Sequence, residues 1–225
     1  MPTPIQVTVH NDPGCPWSYS GAPPLRVLEW RYRDQLDWRL VLIGLTEVAQ
    51  QYVDRGYTPL SMSRGYVSFK RFGMPFSTTP RERVVSTARA CRAIAAARQL
   101  EPGSEWTVFR HLQLAWFTTQ LLLDEDAAIH AALEDAPGVN ADAIVALLDD
   151  EEVVSAYRRD WTEARTAAGS PAELQGKTAQ TDGEVRFTAP SIIAEGHGRR
   201  VVAGGFQPVE AYDLAITNVD PSLER

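Results

Sequence analysis

Cysteine is almost absent from this sequence: Cys15 and Cys91 are the only two in 225 residues. Two thiols cannot form a disulfide framework, and such scarcity suits a reducing cytosol, so a cytoplasmic location is expected. Histidine is scarce too. His10, His111, His130 and His197 keep no metal-ligand spacing with one another or with the cysteines, so no metal is expected. Basic charge is in deficit, with 22 Lys and Arg against 29 Asp and Glu and a net charge of -7. That balance argues against a nucleic-acid footprint and a polybasic membrane patch, both of which need clustered cations. Long apolar runs are missing as well. The longest, around Leu40 to Leu45, is far too short to span a bilayer, and Met1-Pro2-Thr3-Pro4-Ile5 has neither the basic start nor the apolar core of a secretory leader. Gly196-x-Gly198 and Gly204-Gly205 lack the GxGxxG spacing of a phosphate loop. Small molecules or proteins remain as the expected partners.

What is present reads as an α/β protein. Ile5, Val7 and Val9 alternate with polar residues as a half-buried strand does, and Asp12-Pro13-Gly14 ends it with turn chemistry. Pro16 suits the first turn of a helix, and Leu25, Leu28 and Tyr32 keep helical spacing through roughly residues 16 to 33. Leu36 to Leu45 predicts a second strand, apolar enough for cover on both faces. Strand, helix, strand in this compass is a βαβ unit with parallel strands.

From Thr46 to about Gly169 helix signals follow one another. Thr79-Pro80-Arg81-Glu82 reads as a capping box opening a helix to about Leu100, and Ser104 can cap the next, whose apolar face carries Val108, Leu112, Ala115 and Trp116. Asp124 and Asn140 can cap two short helices, and a last one spans Val153 to Ala168. Asp149-Asp150-Glu151-Glu152 complements a helix start and needs no cation. Strands resume at 191–195 and 200–203 around a Gly196-His197-Gly198 hairpin, and Pro208 opens a final helix.

The chemistry centres on Cys15. A thiol placed immediately before a helix meets its first-turn N–H groups, which stabilise the thiolate, and a thiolate is a nucleophile near neutral pH. Cys91 shares a helical face with Val84, Ala88 and Ala95 and reads as a core residue, with a resolving thiol as its alternative role. Trp17 and Tyr19 can line a thiol pocket or pack the start of the helix.

This order of elements, with Cys15-Pro16-Trp17-Ser18 in the first turn and Ala189-Pro190 before the late hairpin, resembles the thioredoxin superfamily. More narrowly it resembles the DsbA-like branch, which includes FrnE-like proteins, kappa-class glutathione transferases, 2-hydroxychromene-2-carboxylate isomerases and mycothiol-dependent reductases carrying Cys-Pro-Trp-Cys. The specific motifs are short, residues 12 to 19 and 188 to 191. The resemblance implies a thioredoxin-like domain of residues 1–45 and 185–225, with residues 46–184 as a helical insertion. It implies that Cys15 is the attacking thiol and that Ser18 stands where a resolving cysteine would be. Pro190 would be a cis-proline facing the thiol, with the Ala189 backbone pairing with bound thiol ligands. Pro16, Trp17 and Tyr19 would complete the binding residues. A hydroxyl at Ser18 cannot close a disulfide, so an outside thiol, mycothiol or glutathione, would regenerate Cys15, with no tightly bound cofactor. An Ala- and Arg-rich composition suits a high-GC bacterium and favours mycothiol. The Ser18-Tyr19 end is shared with the transferase and isomerase relatives, which leaves thiol-dependent conjugation or isomerisation as the second reading. A redox-silent ligand-binding scaffold is the third. The oligomeric state is open, a homodimer included.

Overall fold

The computed structural model describes residues 4–224; Met1 to Thr3, part of the segment read above as lacking a leader, and Arg225 lie outside the described residues. Contacts divide the chain into two units. The first contains residues 1–11, 21–43 and 160–225, the second residues 12–20 and 44–159. The Cys15 turn therefore counts with the helices, and residues 160–184 with the sheet.

The first unit is built on a four-stranded sheet in the order β2-β1-β5-β6. Strand β1 (Ile5–Asn11) pairs parallel with β2 (Leu36–Leu42), from Ile5 opposite Leu36 to Asn11 opposite Leu42. A helix, α2 (Ala22–Tyr32), and a short 3-10 turn (Arg33–Gln35) connect them, so the predicted βαβ unit is present. The half-buried reading of β1 needs correction. Thr8 and His10 are as buried as Ile5, Val7 and Val9, because β1 is central, flanked by β2 and by β5 (Ser191–Gly196). Strand β2 is instead the edge: Asp37 is exposed, Trp38 and Arg39 are half-buried, and cover on both faces is confined to Leu40–Leu42.

Strand β5 runs antiparallel to β1, with Ser191 opposite His10, and then to β6 (Arg199–Ala203). His197 and Gly198 form the two-residue turn between them at φ 50° and 71°, the left-handed pair that a tight hairpin with the natural strand twist requires. Helix α11 (Val209–Val219) packs on β5, β6 and α2, where Asp213 accepts hydrogen bonds from Tyr32 Oη and Arg31 Nη1, each at 2.6 Å. Ala167, Ala172, Phe187, Ile193 and Val202 form a buried apolar cluster. Near it Arg165, its side chain 2% exposed, pairs with Asp182, donates to the Ile43 carbonyl at 2.9 Å and lies 3.5 Å over the Trp161 ring. A small hairpin of β3 (Thr178–Ala179) and β4 (Arg186–Phe187), whose first strand the sequence pattern does not announce, leads toward β5.

The second unit is helical. After α1 (Pro16–Ser20) it contains α3 (Gln50–Asp54), α4 (Pro59–Phe69), α5 (Ala88–Leu100), α6 (Glu105–Thr118), α7 (Asp126–Leu133) and α8 (Ala141–Ala146). Helix α9 (Glu151–Ala164) carries the chain back to the first unit, and α10 (Pro171–Leu174) follows there. The single helix expected over 16–33 is divided at Gly21 into α1 and α2.

Residues 79–87 are not helical, against the capping-box reading, and α5 starts at Ala88. N–H groups that would continue such a helix are taken by distant acceptors: Thr87 N donates to the Thr46 carbonyl at 2.9 Å and Ser86 N to Asp124 Oδ2 at 3.3 Å. The capping box lies earlier, between Thr58 and Ser61 at the start of α4. Asp124 does not cap α7 either, since Arg83 donates to both its oxygens at 2.6 and 2.7 Å. Asn140 does cap α8, through Ala143 N at 3.0 Å. Asp150 Oδ1 accepts from Glu152 N at 2.9 Å at the start of α9.

Candidate active site

Asp12 shapes the turn that carries Cys15. Its carboxylate is fully buried, and it accepts from Gly14 N through Oδ1 and from Leu45 N through Oδ2, both at 2.8 Å. Cys15 N donates to the Asp12 carbonyl at 3.3 Å, and the Cys15 carbonyl accepts from Tyr19 N at 3.0 Å, the first turn of α1. Cys15 therefore sits directly before the helix start, in line with the sequence reading, and is 7% exposed. Gly14 is required by space: a Cβ there would stand 2.6 Å from Thr87 Cγ2 and 2.9 Å from Trp116 Cζ2.

The predicted residues of this turn diverge in environment. Pro16 is half-buried. Trp17 is 39% exposed and rests against Phe69 and Phe72, with ring centroids 4.7 and 5.7 Å away, so it makes an apolar surface beside the thiol. Tyr19 turns the other way. It is buried, stacked on Phe117 at 4.8 Å and edge-on to Phe76 at 5.2 Å, and burial pushes its phenol up to about 12. Its aromatic cluster continues through Tyr66. Ser18 is buried, and its Oγ accepts from Gln113 Nε2 at 2.6 Å, which leaves the hydroxyl hydrogen for another acceptor.

Cys91, fully buried on α5, places its Sγ 3.9 Å from Asp12 Oδ2, a weak thiol donor on the carboxylate that builds the Cys15 turn. Both cysteines are free thiols.

Ala189 and Pro190 belong to the first unit. The peptide bond between them is cis, and both residues are buried. The loop is fixed by its own polar groups: Ser191 Oγ donates to the Thr188 carbonyl at 2.5 Å and accepts from Gly205 N at 2.9 Å, while Thr188 Oγ1 donates to the Lys177 carbonyl at 2.8 Å. His10, opposite Ser191, lies 4.3 Å from the Phe187 ring. Burial lowers its pKa from 6.5 to about 4, so the imidazole is neutral.

Sequence reasoning missed Gln113, Tyr66 and Arg81. Gln113 was open to detection as a polar residue adjoining the apolar face of α6. Tyr66 lies on a segment with no motif to mark it, and Arg81 was read only as part of the Thr79-Pro80-Arg81-Glu82 helix start. Among the described residues no group of three or more His, Cys, Asp or Glu is placed to hold a metal, and no helix is long and apolar enough to cross a membrane.

The sheet order, the cis-proline before β5 and a cysteine opening the helix after β1 together define a thioredoxin-type architecture with inserted helices. The chain belongs to the family of DSBA-like thioredoxin domains, whose model matches residues 6–183. Solved structures agree on the fold. A candidate protein disulfide isomerase from Nitrosomonas europaea aligns with TM-score 0.72 at 16% identity, over 96% of this chain and 97% of that one. The cytosolic disulfide reductase DsbM from Pseudomonas aeruginosa aligns with TM-score 0.65 at 17% identity, over 96% and 100%. A candidate DsbA oxidoreductase from Streptomyces coelicolor gives 0.68 at 16%, over 97% and 91%. Among curated proteins none matches the sequence.

Proposed function

We propose that this protein is a thiol–disulfide oxidoreductase working through Cys15 alone. The observation that carries this reading is local. Cys15 opens α1 from a turn held by the buried Asp12 carboxylate, and one turn later the hydroxyl held by Gln113 occupies the place of a second thiol. The Cys15 thiolate attacks one sulfur of a disulfide R–S–S–R. A Cys15–S–S–R bond forms, the old S–S bond breaks, and the departing thiolate keeps the electron pair and takes a proton from solvent. Ser18 cannot attack this mixed disulfide, so a small thiol R′–SH does, as its thiolate. It releases R–S–S–R′ and restores the Cys15 thiolate. Ser18 donates its remaining hydrogen to the sulfur in this scheme. Pro16 and the Trp17 face supply apolar contact to the ligand in this scheme. Tyr19 supports the turn from within.

The small thiol is glutathione or mycothiol, as co-substrate rather than resident cofactor. DsbM, a cytosolic reductase of the same fold, has been solved with GSH, which supports a low-molecular-weight thiol and a cytosolic setting for this chain. The test is mass spectrometry after incubation with oxidised glutathione at neutral pH. An adduct on Cys15, absent from Cys91 and abolished in Cys15→Ser, is the expected result. No adduct on Cys15 overturns the reading. Turnover surviving in Cys15→Ser points instead to conjugation or isomerisation on a bound thiol.

A further inference from the structure

The second unit contains a desolvated cation with no anion. Arg81 makes no ion pair among the described residues, although each other arginine that borders its cavity does: Arg83, the one such neighbour, is paired with Asp124 and Glu125. Arg81 Nε donates to the Leu121 carbonyl at 3.1 Å and Nη2 donates to the Trp116 carbonyl, so two of its nitrogens close the end of α6 and Nη1 has no such acceptor. Its guanidinium lies 5.4 Å over the Trp116 ring. Burial lowers its pKa, and its interaction with the Tyr66 hydroxyl opposes that shift.

Two more donors stand beside it. Tyr66 is 7% and Trp116 3% exposed; the Tyr66 oxygen faces the Arg81 guanidinium and the Trp116 indole N–H, but none of these contacts has well-aligned hydrogen-bond geometry. Buried polar atoms in this condition are uncommon and call for a partner. All three side chains line one cavity of about 20 Å³, room for a water or for the oxygen end of a small anion, and no Asp or Glu lines it. The cavity adjoins the reactive turn. Gly14, the residue before Cys15, lies against the Trp116 edge that carries Nε1.

We infer that the cavity formed by Arg81, Tyr66 and Trp116 is a carboxylate subsite, which makes the substrates of Cys15 small thiols or disulfides that carry a carboxylate, as glutathione does and mycothiol does not. The subsite rests on the Cys15 reading for its purpose, though its existence does not. Arg81 supplies the charge, and the phenol and indole supply directed donors in a site from which competing water is largely displaced.

Two measurements separate the two claims. The first uses Cys15→Ala protein and no redox chemistry: the Trp116 indole N–H resonance, assigned with Trp116→Phe, is followed during titration with 3-(methylthio)propionate or with neutral 2-(methylthio)ethanol. A saturable shift with the acid, absent with the alcohol and lost in Tyr66→Phe and Arg81→Gln, is expected. No shift with the acid overturns the subsite whatever Cys15 does. The second compares rates of Cys15 adduct formation with 3,3′-dithiodipropionate and with 2-hydroxyethyl disulfide. Their ratio should fall about tenfold in Tyr66→Phe, the consequence of losing one hydrogen bond to a charged group. Arg81 also closes α6, so Tyr66→Phe is the variant that keeps this test independent of folding. An unchanged ratio overturns the role in substrate choice. An indole shift without any Cys15 adduct leaves the subsite standing and removes the redox reading.

Discussion

Gln113 Nε2 donates to Ser18 Oγ at 2.6 Å between two residues that are both almost wholly buried, so the hydroxyl at the second motif position has a fixed direction. Replacing Gln113 by Leu removes this buried hydrogen bond, a loss of about 1 kcal/mol. Unfolding in urea should register it, and alkylation of Cys15 by iodoacetamide should slow at neutral pH as the hydroxyl reorients. Ser18→Cys tests the same place in the opposite sense. With three thiols present, oxidation should pair residues 15 and 18 and leave one thiol, the buried Cys91, which a dithionitrobenzoate assay counts only after denaturation.

Gly14 is where the turn meets the helical unit. Gly14→Ala drives a methyl group against Thr87 Cγ2 and the Trp116 ring, and overpacking of this kind costs about 1–3 kcal/mol. Thr87→Ser in the same chain removes the nearer obstacle but keeps the hydroxyl that accepts from Thr46 N at 3.1 Å. The double variant should recover part of the loss in urea midpoint. No recovery would place the clash on Trp116 alone.

Acid should weaken the first unit through His10. Folded, the imidazole is held neutral down to about pH 4, chiefly by burial; Glu163 opposes that shift, and Arg39 and Arg200 reinforce it. Unfolded, it takes up a proton near 6.5. Between those values the unfolded chain binds more protons, so stability rises with pH across the window and is lost on acidification, by up to about 3 kcal/mol. The free energy of unfolding measured from pH 7 to pH 4 should show this slope, and His10→Leu should flatten it. An equal slope in the variant assigns the acid sensitivity to other groups.

Arg165 and Asp182 form an ion pair with both side chains under one-tenth exposed. Asp182→Ala removes this carboxylate from a buried guanidinium that also donates to the Ile43 carbonyl and lies over the Trp161 ring, an expected loss of about 3–5 kcal/mol. The same variant also removes the Asp182 acceptor of Arg186 Nε at 3.3 Å. Urea denaturation of the single variant and of Arg165→Met with Asp182→Ala tests this, since the double change should be milder than the single one.

Periodicity carried the sheet and most helices because each of those segments buries one face: Leu25, Leu28 and Tyr32 in α2, and Val108, Leu112 and Trp116 in α6. It failed at Thr79-Pro80-Arg81-Glu82, where tertiary partners for Arg81, Arg83, Ser86 and Thr87 outweigh a good local helix start. The same long-range pairing hides Asp124, which reads as a cap and serves as an arginine acceptor. In the candidate site, the place of Cys15 directly before a helix was legible because turn chemistry and a helix start are local signals, whereas Ser18 entered only through the family resemblance. Gln113, Tyr66 and Arg81 reach the neighbourhood of the turn from distant segments, and nothing in their own sequence windows marks them. Asp12 was legible as a turn residue, but its bond to Leu45 N was not, since that partner is supplied by the chain only after β2.

The central strand of the sheet is also the first to leave the ribosome. β1 finds its parallel neighbour within a few dozen residues, but its other edge stays unmatched until Ser191–Gly196 has been translated. For most of synthesis the nascent polypeptide therefore displays a bare row of backbone donors and acceptors on an apolar ribbon, an invitation to wrong pairing. Cellular yield of this protein should consequently depend on chaperone capacity and elongation rate more than the stability of the finished molecule would suggest.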